Sequence, residues 1–116
     1  MPKLSVHLVT WNGAKYFPYL FASLKNQTYR DWYLYIWDNA SDSSADIAVI
    51  EKLADTLPVP WRGTFHDTNL GFAGGHNEVY FRSNEEYFVL LNQDVYLAPD
   101  CLEKLVCFMD AHLSAA

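Results

Sequence analysis

Asn92-Gln93-Asp94 follows without interruption on the apolar run Tyr87-Phe88-Val89-Leu90-Leu91. An apolar run that stops abruptly at a carboxylate predicts a strand buried on both faces, with its polar end delivered to a sheet edge. Ligands of open α/β sheets bind beyond the carboxyl ends of the strands, where Asp94 and Asn92 would stand. The same residue types also close strands simply by turning. A site differs from a turn when other strand ends carry matching chemistry. Here Thr10 with Asn12, Asp38 with Asn39, and Asp67 with Asn69 each follow a segment rich in β-formers. In a parallel sheet all these ends point to one edge and converge on one crevice.

The two familiar phosphate cradles are absent. A dinucleotide fold would carry Gly-x-Gly-x-x-Gly after its first strand, whereas Trp11-Asn12-Gly13-Ala14-Lys15 has a single glycine, and no P-loop sequence occurs. A divalent cation is the other way to hold a diphosphate, and it prefers hard oxygen ligands. Asp94, with no Lys or Arg beside it in sequence, suits that task best. Asp38 suits another: a carboxylate at a neighbouring strand end can accept a hydrogen bond from the N–H of a nucleobase ring.

The elements that must position these groups are legible from patterning. Leu4–Val9 reads as a first strand, Tyr33–Trp37 as a second, Thr64–His66 as a third and Tyr87–Leu91 as a fourth. Between them, Phe17, Leu20, Phe21 and Leu24 predict a helix from Pro18 to about Asn26, and Ile47, Ile50, Leu53, Ala54 and Leu57 a second, capped by Asp42 or Ser43. Asn69 to Asn77, with glycines at 71, 74 and 75, opens a third helix that carries Val79 and Tyr80, and its glycines permit close approach of a backbone or ligand. A last amphipathic helix is predicted from Pro99 to His112. Strands alternating with helices imply βαβ units, hence an α/β domain with a mostly parallel sheet and helices on both faces.

Composition narrows the function. A chain of 116 residues, 51% apolar and 16% aromatic, is one globular domain. A net charge of −6 without any basic run argues against nucleic acid or an anionic membrane surface as partner. No apolar run is long enough to span a bilayer and no signal-peptide pattern opens the chain, so a cytoplasmic setting is expected. Cys101 and Cys107 are expected to be reduced core residues, and the four His show no zinc spacing.

Taken together, Thr10-Trp11-Asn12, Asp38-Asn39-Ala40-Ser41-Asp42, Asn69-x-Gly71-Phe72-Ala73-Gly74-Gly75-x-Asn77 and Leu91-Asn92-Gln93-Asp94 resemble, in order and spacing, the nucleotide-binding half of family 2 glycosyltransferases with the Rossmann-like GT-A fold. The glycine-rich segment and the Asn-x-Asp form of the metal motif look most like the branch of bacterial rhamnosyltransferases acting in cell-surface polysaccharide synthesis. The resemblance implies a nucleoside-diphosphate sugar donor, dTDP-rhamnose or a UDP-sugar. Thr10, Trp11 and Asn12 would line the nucleoside pocket, and Asp38 would hold the base. Asn69, Gly71, Gly74 and Asn77 would shape the pocket floor. Asn92 would reach ribose or sugar hydroxyls, Gln93 would join the nucleotide-sugar-binding residues, and Asp94 would bind Mg2+ or Mn2+.

Asn92 stands where the family's metal motif has its first acid, and an amide supplies no charge there. The family's acceptor half and its catalytic base follow the last helix seen here. The resemblance therefore implies that residues 1–116 are the donor-binding portion alone, cut from a longer protein or a shortened reading frame and inactive by itself. The glycan or lipid-linked acceptor would bind outside these residues, and the full-length protein would work in the cytoplasm at the inner face of the membrane. Apolar surface left uncovered would favour self-association. A non-catalytic nucleotide-sugar-binding module, or an unrelated α/β nucleotide-binding domain, fits the same residues.

Overall fold

The computed structural model describes residues 2–113. Strands β1 (Leu4–Thr10), β2 (Trp32–Asn39), β3 (Trp61–His66) and β4 (Tyr87–Asn92) alternate with helices α1 (Phe17–Lys25), α2 (Ser44–Ala54), α3 (Gly71–Arg82) and α4 (Cys101–Ala111). All strand pairs are parallel, in the order β3-β2-β1-β4. The α/β architecture expected from the alternation is therefore present.

Strand order explains the layering. The chain steps outward from β1 to β2 to β3, then crosses back over β1 to β4. Right-handed crossovers taken in opposite directions place their helices on opposite faces. Leu4, Val6 and Leu8 of β1, Leu34 and Ile36 of β2 and Leu91 of β4 form the main core with Phe17, Leu20, Phe21 and Leu24 of α1, Ile50 and Ala54 of α2, and Leu102 and Val106 of α4. The alternate residues Val9 and Trp37 meet Val79 of α3 on the other face. This is the period-two alternation of a strand whose two faces are both covered.

Local chemistry sets the boundaries. Pro18 lies in the first turn of α1, where its missing N–H costs nothing, and Ser43 Oγ accepts from the Ala45 N–H at 3.1 Å to cap α2. Strand β3 is longer than Thr64–His66, beginning at Trp61 as the edge partner of β2. Two expectations are corrected. The fully buried strand is β1, whereas Phe88 and Leu90 of β4 are about half exposed, because β4 lies at the sheet edge and α3 covers β1 and β2 instead. Cys107 is exposed and Cys101 only half-buried, since α4 turns Leu102 and Val106 inward; both thiols are free.

Candidate functional site

The ends of β1, β2 and β4 and the start of α3 surround an open cavity of about 410 Å3. It lies where the strand order reverses about β1, the position that open α/β sheets use for ligands. Thr10, Trp11, Asn69, Gly71, Asn92, Gln93 and Asp94 line it, as the convergence of strand ends predicts. Asn12, Asp38, Gly74 and Asn77 do not. Val9, Tyr16, Asn39 and Phe72 line it as well.

Two loops are knitted together beside the cavity. Thr10 pairs with Asp38 in the β1–β2 register, and its Oγ1 donates to Asp38 Oδ1 at 2.7 Å. Ser41 donates to the same carboxylate twice, from Oγ at 2.6 Å and from its N–H at 2.9 Å. Asp38 is thus a buried acceptor, 1% exposed, turned toward its own loops. Asn12 sits in the left-handed region (φ 47°), which Asn tolerates better than most residues. Its amide donates to Asp42 Oδ2 at 2.9 Å and accepts from the Asp42 N–H at 2.8 Å, while its own N–H donates to Ser41 Oγ. Asn12 and Asp38 therefore fix the loops after β1 and β2 against each other.

Asn39 does the equivalent for α3. Buried at 2% exposure, it accepts from Trp37 Nε1 at 2.8 Å and donates to the Gly71 carbonyl at 2.9 Å. Asn69 Oδ1 accepts from the Gly71 N–H at 2.7 Å, closing the turn into the helix at a positive φ of 77° that only glycine adopts freely. A Cβ on Gly75 would come within 3.0 to 3.1 Å of Val9, Asn39 and Trp37, so this glycine lets α3 lie directly on the strand ends. Asn39 and Gly75 were visible in sequence as a strand-end amide and a helix-start glycine, but nothing there paired them.

Beneath α3 lies a second buried polar group of residues. A hydrogen bond of 2.7 Å joins His7 Nε2 and Ser5 Oγ, and His7 lies between the stacked ring of Phe88 and the edge of Tyr35. Burial pushes the His7 imidazole down to about 4, with a further push from His76. Burial also lowers His76. Tyr35 donates to Glu85 at 2.8 Å, and its phenol is raised by burial and by that carboxylate.

On the cavity rim, Asn92 and Asp94 are exposed, and neither side chain has a hydrogen bond or ion pair among the described residues. Among the described residues Asp94 is the one acid that lines the cavity, and no group of three or more His, Cys, Asp or Glu is placed to hold a metal ion. One free carboxylate with the free Asn92 amide near it suits a cation whose other ligands are diphosphate oxygens and water, and does not suit an all-protein cage.

Residues 5–116 match the model of the family described as Glycosyl transferase family 2. Comparison with curated proteins finds no match. Among solved structures, S. aureus TarS 1-349 in complex with UDP aligns with a TM-score of 0.84 at 24% identity, over 96% of this chain and 33% of that one. The same protein in complex with UDP-GlcNAc gives the same score and identity. The mannosyltransferase PcManGT from Pyrobaculum calidifontis, in complex with GDP-Man and Mn2+, aligns with a TM-score of 0.84 at 20% identity, over 93% of this chain and 32% of that one. The chain thus spans about a third of the length of these structures, which share its GT-A architecture. Because the family match runs through almost the whole sequence and the fold agrees with it, the chain belongs to glycosyl transferase family 2.

Proposed function

We propose that this chain is the donor-binding portion of an inverting glycosyltransferase and holds a nucleoside-diphosphate sugar, a UDP-sugar or dTDP-rhamnose, through a divalent cation. The observation that carries this reading is the free Asp94 carboxylate on the rim of a cavity built from three strand ends, in a chain of this family. UDP, UDP-GlcNAc and GDP-Man with Mn2+ in the similar structures support a nucleotide sugar as ligand class.

In this reading Trp11, half exposed on the cavity wall, offers an aromatic face to the base, and Thr10, held by Asp38, sets the nucleoside end. Asn69 and Asn92 offer amides to ribose or sugar hydroxyls, and Gly71 keeps the floor open. Asp94 would hold Mg2+ or Mn2+. The cation, when bound, supplies positive charge to the departing diphosphate. Among the described residues the cavity lining holds no acid or histidine besides Asp94; following the family resemblance, the reading places the general base for the acceptor hydroxyl and the acceptor site outside residues 1–116. Apolar surface that such a remainder would cover makes self-association of the isolated chain part of the same proposal.

Calorimetric titration with dTDP, UDP and GDP, each with Mn2+ and again with EDTA, tests the reading. Metal-dependent binding of dTDP or UDP, abolished in Asp94→Ala, is expected. Equal binding with EDTA, or no binding by the folded chain, overturns it.

A further inference from the structure

We propose that Gln93 is a positioning residue of the donor site rather than a ligand of the donor, and that residue 13 is glycine so that Gln93 can act. The β1–β4 backbone ladder ends at the pair Val9 and Asn92. Beyond it, the Gln93 side chain takes over. Its Oε1 accepts from the Trp11 N–H at 3.0 Å and its Nε2 donates to the Trp11 carbonyl at 2.9 Å. One carboxamide thus satisfies both backbone groups of Trp11, as a neighbouring strand would. Neither Asn nor Asp reaches as far, and an ionised carboxylate, which only accepts, cannot make both bonds.

The clamp has a steric requirement. A Cβ on Gly13 would overlap Gln93 Oε1 and lie 2.7 Å from its Cδ and 2.8 Å from Phe17. Any larger residue at position 13 displaces the amide. The clamp also has a second consequence. The Val95 N–H donates to the Asn92 carbonyl at 3.3 Å, closing a turn with Gln93 and Asp94 at its two central positions. Anchoring Gln93 to Trp11 therefore fixes the turn that aims Asp94 at the cavity, and holds the Trp11 wall at the same time. Wall and carboxylate are set by one side chain.

The effect on nucleotide binding rests on the donor-site reading; the clamp itself does not. Three variants test it in the full chain: Gln93→Leu, which removes both bonds, Gln93→Glu, which keeps one, and Gly13→Ala, which expels the amide. Two readouts are taken: the dissociation constant for UDP with Mn2+, and amide hydrogen-exchange protection at Trp11. Gln93→Leu is expected to weaken UDP about 10-fold and to lose Trp11 protection, consistent with two solvent-adjacent hydrogen bonds. Gln93→Glu, which keeps the acceptor for the Trp11 N–H and loses the donor to the Trp11 carbonyl, is expected to retain Trp11 protection and to weaken UDP less than Gln93→Leu does. A merely structural glutamine would not grade UDP affinity with the bonds retained at Trp11. Gly13→Ala combined with Gln93→Leu should be no worse than Gly13→Ala alone, because the amide that the new methyl would expel is already gone. If wild type binds UDP and Gln93→Leu binds it equally well, the positioning role is wrong. If wild type does not bind UDP, the donor reading fails, and the clamp is then decided by Trp11 protection: retention in Gln93→Leu overturns it.

Discussion

Two strand-end carboxylates look alike in sequence and differ entirely in surroundings. Asp38 is buried with three donors upon it, whereas Asp94 is exposed with none. Asp38→Ala leaves the buried Thr10 hydroxyl and the half-buried Ser41 hydroxyl and N–H without their acceptor, at a cost of about 3 kcal/mol, or on the order of 10 °C in melting temperature. Asp94→Ala removes nothing that the fold uses and should stay within about 0.5 kcal/mol of wild type. Both variants are expected to bind the nucleotide poorly, but only Asp38→Ala should melt early. Thermal melts of the two, run beside the titrations, check this, and an unchanged midpoint for Asp38→Ala would show that its hydrogen bonds are dispensable. The residue types of this site were legible because Asn, Asp and Thr crowd the strand ends. Their individual roles were not. Gln93 stands between two candidate ligands and reads as a third, while the backbone that it grips lies 82 residues earlier.

Among the elements, α3 has the least ordinary footing. Its contact with the sheet combines Val79 against Val9 and Trp37 with a pair of imidazoles, and His7 Nδ1 and both ring nitrogens of His76 are buried without hydrogen-bond partners among the described residues. The groups around them are Ser5, Tyr35 and Phe88 from the strands, Phe72 from α3 itself and Glu85, which is engaged by Tyr35. His7 in the folded chain is pushed to about 4, below the ordinary value of 6.5 that it regains on unfolding. Between those values the unfolded chain binds more protons, so stability is full above about pH 6.5 and falls as the pH drops toward 4. The loss attributable to His7 is on the order of 3 kcal/mol. The melting midpoint should therefore fall more steeply with acid in wild type than in His7→Phe, by on the order of 10 °C at about pH 4.5. Parallel pH profiles would show that the imidazole is not responsible. Element types and order were readable from periodicity, since each helix carries its apolar stripe and each strand its β-formers. The burial of β4 was not, because an apolar run states that a strand is apolar and only the strand order states whether it is central. The order 3-2-1-4 gives that place to β1, whose Ser5 and His7 dilute its apolar signal.

At the scale of the whole molecule, one side is finished and the other is not. Asp110 of α4 accepts from Tyr87 at 2.8 Å and pairs with Lys3 at 2.6 Å, tying the last helix to the start of β1 and β4. Beyond that tie, the outer edge of β4 has no strand partner among the described residues. Phe88 and Leu90 on one face of that edge are about half exposed, and so is Tyr80 of α3, whose ring meets the Phe88 ring at 5.0 Å. On its other face, Tyr87, Val89, Leu105, Met109 and Leu113 line an apolar groove of about 500 Å3. An unpaired strand edge flanked by apolar surface on both faces is a template for pairing with another chain. In the donor-portion reading this is surface that the remainder of a longer protein covers, and in the isolated chain a second copy is the nearest substitute. Sedimentation equilibrium is expected to show reversible association at micromolar concentrations. Leu90→Lys, which places a charge on the β4 edge away from the nucleotide cavity, is expected to shift the chain to monomer without altering UDP binding. A wild-type chain that stays monomeric throughout would mean that the edge is protected as it stands, and the case for a missing covering segment would lose its physical basis.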